Sequence, residues 1–354
     1  MKKRFALIGC GGIGQYHLDH LLQFDDIDLV GFCDIILDRA EDFAKQAGHD
    51  KAYGHYLELL DATDIDGVFL CVPPHEHGEI EFELIKRGIH FFVEKPVALD
   101  IELGKSIRDA AKAANIITAV GFQCRYSALV EPNRAFMKEH PVVHATCTRI
   151  GGIPDTPWWT SKTLSGGQMV EQTIHNVDII RYMLGEAESV VSFASRGFID
   201  GGSDYDTDDL SCALIKFKSG ALASVMTGCY GESGASADNK ITFSAKDARC
   251  DLRILDRLDL YGVEEKEEVA SDEEGFVIKS DAGFKSVSGA DQSIKEVVQA
   301  GLICDRTFID AVITGDASKI LSPYEDGLKS VALTVACNLS IDQGTVIHLD
   351  DLLR

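Results

Sequence analysis

Glu94 and Lys95 are the residues most able to do chemistry. They follow the apolar run Phe91-Phe92-Val93, which reads as a short buried strand, and precede Pro96, which cannot donate to a sheet ladder. An acid and a base at a strand's C-terminal end are costly if buried and idle. In open α/β sheets that end lines the ligand crevice. A lysine held there is desolvated, which lowers its pKa and suits it to proton transfer near neutrality; the alternative is a solvated loop after an edge strand. A second group lies in Gly9-Cys10-Gly11-Gly12-Ile13-Gly14, between a strand Phe5–Ile8 and a helix running from His17 to Phe24. Gly9, Gly11, Gly12 and Gly14, with Ile13 among them, allow a tight turn and close approach of backbone N–H groups to a pyrophosphate at a helix N-terminus. Asp34 ends the next strand, Leu29–Cys33. An acid there holds a ribose diol and repels a 2′-phosphate, which points to NAD over NADP; Arg39, one helical turn further, is the cation that could reverse this. The third group is Glu171 and His175, i,i+4 on a helix read as Gln168–Leu184. Their side chains can meet, and a glutamate there favours the imidazolium and orients the ring. On spacing alone an exposed charge pair is the plainer reading.

These residues need a frame to position them. Strands at Val68–Val72, Phe91–Val93 and Ile117–Gly121 alternate with helices Glu79–Arg87, closed by Gly88, and Ile101–Ala114. Such alternation implies a doubly wound parallel sheet. Pro73-Pro74 turns the chain toward the crevice, and His77 is either a helix cap or a cofactor contact. Val142–Ile150 reads as a strand, and Gly151–Thr163 as a Pro-rich loop with Trp158 and Trp159. Beyond Glu186 the pattern changes to consecutive strands: Ser189–Phe198, Leu210–Phe217, Ala221–Cys229, Lys240–Ser244 and Leu252–Tyr261. That implies a largely antiparallel sheet with one face needing cover. A second subunit would supply it, as a homodimer or homotetramer. Ile294–Ile313 and Pro323–Asp342 read as helices backing this sheet, and Asp204–Asp209 and Glu264–Glu274 as solvated acidic loops.

Composition sets outer bounds. The chain has 354 residues, enough for two domains, and 45% hydrophobic residues, an ordinary globular core. Its net charge of −23 argues against nucleic acid and anionic membranes as partners. Ten cysteines without Cys-x-x-Cys or zinc spacing fit reduced, buried thiols, among them Cys33, Cys71 and Cys212, and a cytoplasmic location. The basic start and short apolar run read as a first strand, not a signal peptide, and no apolar stretch suits a membrane helix. No metal-ligand cluster is legible.

Gly9-x-Gly11-x-x-Gly14, Asp34, Pro73-x-x-x-His77 and Glu94-Lys95-Pro96, at these separations, resemble the glucose-fructose oxidoreductase / inositol dehydrogenase (Gfo/Idh/MocA) family over essentially the whole chain. The resemblance implies a Rossmann domain, 1–122, and a C-terminal α/β domain with a large open sheet, 123–354. It implies that Lys95 acts in catalysis, that Pro73, His77 and Glu94 lie near the cofactor, and that Gln123 and Arg125 lie beneath the nicotinamide and near substrate. It makes His175 catalytic, together with position 171, where an aspartate is usual and this chain has Glu171. Trp158 and Trp159 can stack on a pyranose face or pack in the core. The expected reaction is NAD-dependent oxidation of a secondary alcohol of a sugar, glycoside or cyclitol, with C3 of a glucose-like ring as the family precedent. An NADP-dependent keto-sugar reductase and a non-catalytic dinucleotide-binding regulator are the alternatives. The peptide between Lys95 and Pro96 is expected to be cis.

Overall fold

Short apolar runs at the start of the chain form parallel strands, and amphipathic segments between them form covering helices. The computed structural model describes residues 2–200, 202, 205–231, 233–263 and 289–354. The first elements are β1 (Lys3–Ile8), α1 (Gly12–Leu21), β2 (Ile27–Cys33), α2 (Leu37–Gln46), β3 (Ala52–Tyr53), α3 (Tyr56–Ala62), β4 (Gly67–Leu70), α4 (Glu79–Lys86), β5 (His90–Val93), α5 (Ile101–Ala113) and β6 (Thr118–Val120). The strands pair in parallel in the order β3-β2-β1-β4-β5-β6. Order reverses between β1 and β4, so the crevice at their carboxyl ends is the expected ligand position. Gly9, Asp34, Glu94 and Gly121 all follow strands at that edge.

Then come α6 (Val130–Glu139), β7 (His144–Ile150), α7 (Lys162–Ser165), α8 (Gly167–Glu171), α9 (Ile174–Leu184), β8 (Ala187–Ser195), β9 (Leu210–Phe217), β10 (Leu222–Gly228), β11 (Asp238–Ser244), β12 (Arg249–Arg253), β13 (Arg257–Tyr261), β14 (Gln292–Lys295), α10 (Ala300–Thr314), α11 (Tyr324–Gln343), β15 (Ile347–His348) and α12 (Leu349–Leu353). These strands build a nine-stranded sheet, β14-β13-β12-β11-β7-β10-β9-β8-β15, in which β7 and β10 are the parallel pair and the other pairs are antiparallel. One face buries Ala145, Cys147, Ile215, Val225 and Phe243 against Val177 and Ile180 of α9 and Leu333 and Ala336 of α11. The other face is open, with Phe193 74% exposed and Leu214, Leu222 and Met226 also exposed.

Several expectations change. The helix expected over Gln168–Leu184 is broken at Gln172 and Thr173 into α8 and α9. The strand expected over Leu252–Tyr261 is a hairpin, β12 and β13, turning at Leu255 with φ +57°. Ile294 belongs to β14, and α10 packs on the first sheet, where Phe308 meets Phe5, Phe69 and Phe92 at centroid distances of 6.2, 5.5 and 6.0 Å. Only α11 backs the second sheet as expected, and it also joins the first through Leu328 and Val331. Asp209 is no solvated loop acid: it is buried and accepts from the Phe198 and Ile199 amides and the Tyr205 hydroxyl. Asp204 and Glu264–Glu274 lie outside the described residues. Cys212 is exposed on the open face, unlike the buried Cys33 and Cys71.

Candidate active site

The glycine turn is built for close approach. Gly9 has φ +97°, and a Cβ there would sit 2.4 Å from the Cys71 carbonyl oxygen; one at Gly14 would sit 2.2 Å from that of Gly9. Both are required by backbone packing. Above Gly11 and Gly12 the space is open. Asp34 anchors the turn, accepting from the Cys10 amide at 2.8 Å and the Ile36 amide at 2.8 Å. Arg39 is exposed on α2, and Ile35 beside Asp34 is 94% exposed. Pro73 leads into a single helical turn, and His77 is buried with Nδ1 2.7 Å from Glu81, so it serves the start of α4.

Lys95 follows β5, and its peptide bond to Pro96 is cis, as expected. Its Nζ donates to Glu171 Oε1 and to the Glu171 carbonyl, both at 3.0 Å. Glu171 also accepts from Trp159 Nε1 at 3.0 Å and Gln172 Nε2 at 2.5 Å. The expected Glu171–His175 pairing is therefore absent among the described contacts. The break between α8 and α9 ends the i,i+4 relation and turns Glu171 to Lys95. Burial tends to lower the Lys95 pKa, but Glu171 and Glu94 outweigh it and raise it. The expectation of a depressed lysine is overturned: Lys95 is held as an ammonium. Burial, with Lys95 and Arg149 nearby, pushes His175 down to about 3. His175 is thus a neutral imidazole and not the imidazolium that a Glu171 partner would have favoured. Its Nδ1 is buried with no hydrogen-bond partner, and its ring meets Phe122 edge-on at 6.3 Å.

Other expected contacts are placed differently. Arg125 is buried and held by Asp178 at 2.5 and 2.8 Å and by Asp326 at 2.5 Å, which fixes it to α9 and α11 in a saturated ion-pair network. That is a structural position, not a solvated or substrate-facing one. Trp159 is fully buried, and its ring positions Glu171; Trp158 is partly buried, 6.5 Å from His75. Glu94 turns inward, with Oε1 3.1 Å from His17 Nε2 and packed on Gly121. Gln123 accepts from the Tyr16 hydroxyl at 2.6 Å.

Sequence reasoning missed the inner cluster. His17 Nδ1 lies 2.9 and 3.0 Å from the two Asp305 oxygens, and His20 Nδ1 2.7 Å from one of them. The only local signal was two histidines three apart on α1, because Asp305 lies 288 residues away. Arg149 and Gln172, which border the Lys95–Glu171 pair, were also missed.

Comparison with known proteins shows the family and the fold. Residues 3–122 match the GFO/IDH/MocA model described as an oxidoreductase family with NAD-binding Rossmann fold, and residues 141–249 match the GFO/IDH/MocA C-terminal domain. The chain is 26% identical to myo-inositol 2-dehydrogenase of Thermotoga maritima, covering 99% of each chain. It is 30% identical to scyllo-inositol 2-dehydrogenase (NAD(+)) of Bacillus subtilis over 63% of this chain and 66% of that one. An oxidoreductase from Agrobacterium radiobacter, solved with NAD+, L-tartaric acid and magnesium, shares the fold with a TM-score of 0.79 at 17% identity, covering 99% of this chain and 100% of that one.

Proposed function

Because this chain belongs to the GFO/IDH/MocA oxidoreductase family, we propose that it uses NAD to oxidise a secondary alcohol of a cyclitol or sugar in the crevice holding Lys95, Glu171 and His175. The supporting observation is the juxtaposition of a glutamate-held ammonium, Lys95, with a neutral imidazole, His175, whose buried Nδ1 has no partner. The open space above Gly11 and Gly12, with Asp34 at the end of β2, fits a dinucleotide carrying a free ribose diol. Gly9, Gly11, Gly12, Ile13, Gly14 and Asp34 would hold it, with Pro73 and Gln123 along the crevice. When bound, the nicotinamide supplies the hydride acceptor.

The chain's own residues handle the proton. His175 takes the hydroxyl proton as the C–H bond breaks. Lys95 donates a hydrogen bond to the same oxygen and steadies its developing charge, a preorganised role. Glu171 keeps Lys95 charged and aimed, while Trp159 and Gln172 hold Glu171. Acid–base help of this kind contributes about 10²–10⁴ in rate. The open face of the nine-stranded sheet, bearing Phe193, Leu214 and Met226, is the surface through which two copies would associate.

The test is a panel of inositols, sugars and glycosides, including glucosides oxidised at C3, read by NADH absorbance. NAD-dependent turnover of at least one is expected. Faster NADP-linked reduction of keto sugars would make it a reductase. NAD binding without turnover of any member would make it a dinucleotide-binding regulator.

A further inference from the structure

Arg149 stands near the end of β7, and its guanidinium reaches the pair just described. Nη2 donates to Gln172 Oε1 at 3.1 Å, and Gln172 in turn donates to Glu171, the partner of Lys95. Arg149 is partly buried, and burial lowers its pKa against the opposing pull of the nearby Glu171 carboxylate. Among the described residues no carboxylate pairs with it. Every other buried or partly buried lysine or arginine among them does pair with one: Lys95 with Glu171, Arg125 with Asp178, Lys162 with Asp208, Arg181 with Asp326, and the rest likewise. The chain has 57 acidic residues against 34 lysines and arginines, so partners are in surplus. A partly desolvated guanidinium with one neutral acceptor, and Glu171 near it but not bonded to it, keeps donors available for a further anion. The cleft beside it is lined by Gly151, Asn239 and Arg253. Its acids do not reach Arg149: Asp238 lies 3.7 Å from Arg253, and Asp256 is exposed.

We propose that the substrate carries an anionic substituent, a carboxylate or a phosphate, which pairs with Arg149 while its alcohol meets Lys95 and His175. This rests on the dehydrogenase reading and narrows its substrate class. A planar guanidinium with free donors suits either anion bidentately. A uronate and a sugar phosphate share that chemistry, and the experiment separates them.

Wild type, Arg149→Met and Arg149→Lys are assayed with NAD on methyl glucuronide and glucose 6-phosphate, and on methyl glucoside and myo-inositol as neutral counterparts. Wild type should prefer one of the two anions over the neutral compounds by about 10- to 100-fold in kcat/KM, the range for a hydrogen bond to a charged group. Arg149→Met should erase that preference through KM, and Arg149→Lys should restore part of it; the preferred anion names the source. Equal use of neutral compounds by wild type overturns the proposal. So does a fall in kcat on charged and neutral compounds alike in Arg149→Met, which would make Arg149 a positioning residue for Gln172 and Glu171. Calorimetric binding of the same two anions to NADH-loaded protein needs no turnover. Binding that is lost in Arg149→Met, without turnover of any compound, supports Arg149 as the anion site and defeats the dehydrogenase reading. NAD-linked turnover of neutral polyols with no anion binding does the reverse.

Discussion

Glu171 accepts from Lys95 at 3.0 Å and so keeps Lys95 charged, while burial, with Lys95 and Arg149 nearby, keeps His175 neutral. Lys95 stays charged and His175 stays neutral, so the two would serve one substrate oxygen from opposite protonation states. Lys95→Ala and His175→Ala should each lower kcat by about 10²–10⁴ with NAD affinity nearly intact. The double variant should lose less than the product of the single losses, because the two act on one oxygen; steady-state kinetics with a calorimetric NAD titration checks this. The pH profile carries a second prediction. With His175 depressed to about 3, the acid limb of kcat/KM should contain no histidine step near 6.5. Lys95 is raised mainly by Glu171 against the pull of burial, so Glu171→Gln should move the alkaline limb to lower pH. A midpoint above 6.5 in wild type would place Glu171 with His175 after all. At the cofactor end, Asp34→Ser with Ile35→Arg should raise NADP activity relative to NAD. Ile35 is 94% exposed, so the arginine costs no core; an unchanged ratio would mean that Asp34 does not face the ribose.

Helix α1 begins at the glycine turn and carries His17 between Asp305 of α10 and Glu94 after β5. Burial alone would lower the His17 pKa, but the two carboxylates raise it to about 10. His20, also on Asp305, completes the group. Both histidines already bond Asp305, at 2.7–3.0 Å, and for His17 this is the geometry of an ion-paired imidazolium. A raised histidine contributes stability that is complete below its unfolded value near 6.5 and lost as pH rises through about 10. The melting temperature should therefore fall between pH 7 and 10, and His17→Gln should flatten that fall. Equal slopes in both proteins, by differential scanning calorimetry, would show that His17 is neutral in the fold.

For the molecule as a whole, the two sheets share one crevice, and the second leaves a face uncovered. Phe193 of β8, Cys212 of β9 and Met226 of β10 stand in one row across that face. Burying a phenylalanine side chain stabilises by about 1.5–3 kcal/mol, so a second copy that covers Phe193 gains from it. Phe193→Asp with Met226→Asp should convert an oligomer to a monomer by light scattering, with secondary structure kept. A monomeric wild type would refute association through this face.

The strand–helix alternation, the glycine turn and the turn at Glu94-Lys95-Pro96 were legible in the sequence. Each depends on periodicity and spacing among near neighbours, which chain stereochemistry converts directly into strands, helices and turns. The nine-stranded sheet was legible as consecutive strands but not in its order, since the parallel pairing of β7 with β10 joins segments far apart. Partner choice was decided by tertiary structure alone. An i,i+4 count joined Glu171 to His175, but the break at Gln172–Thr173 gave Glu171 to Lys95, 76 residues away. Arg125 read as a residue near substrate until α9 and α11 brought Asp178 and Asp326 to it. Arg149 looked like one more strand residue, and His17 like a helix residue. A charged group's role depends on which countercharges the fold brings near it and how much water it removes, and neither is encoded within a few residues of the group itself.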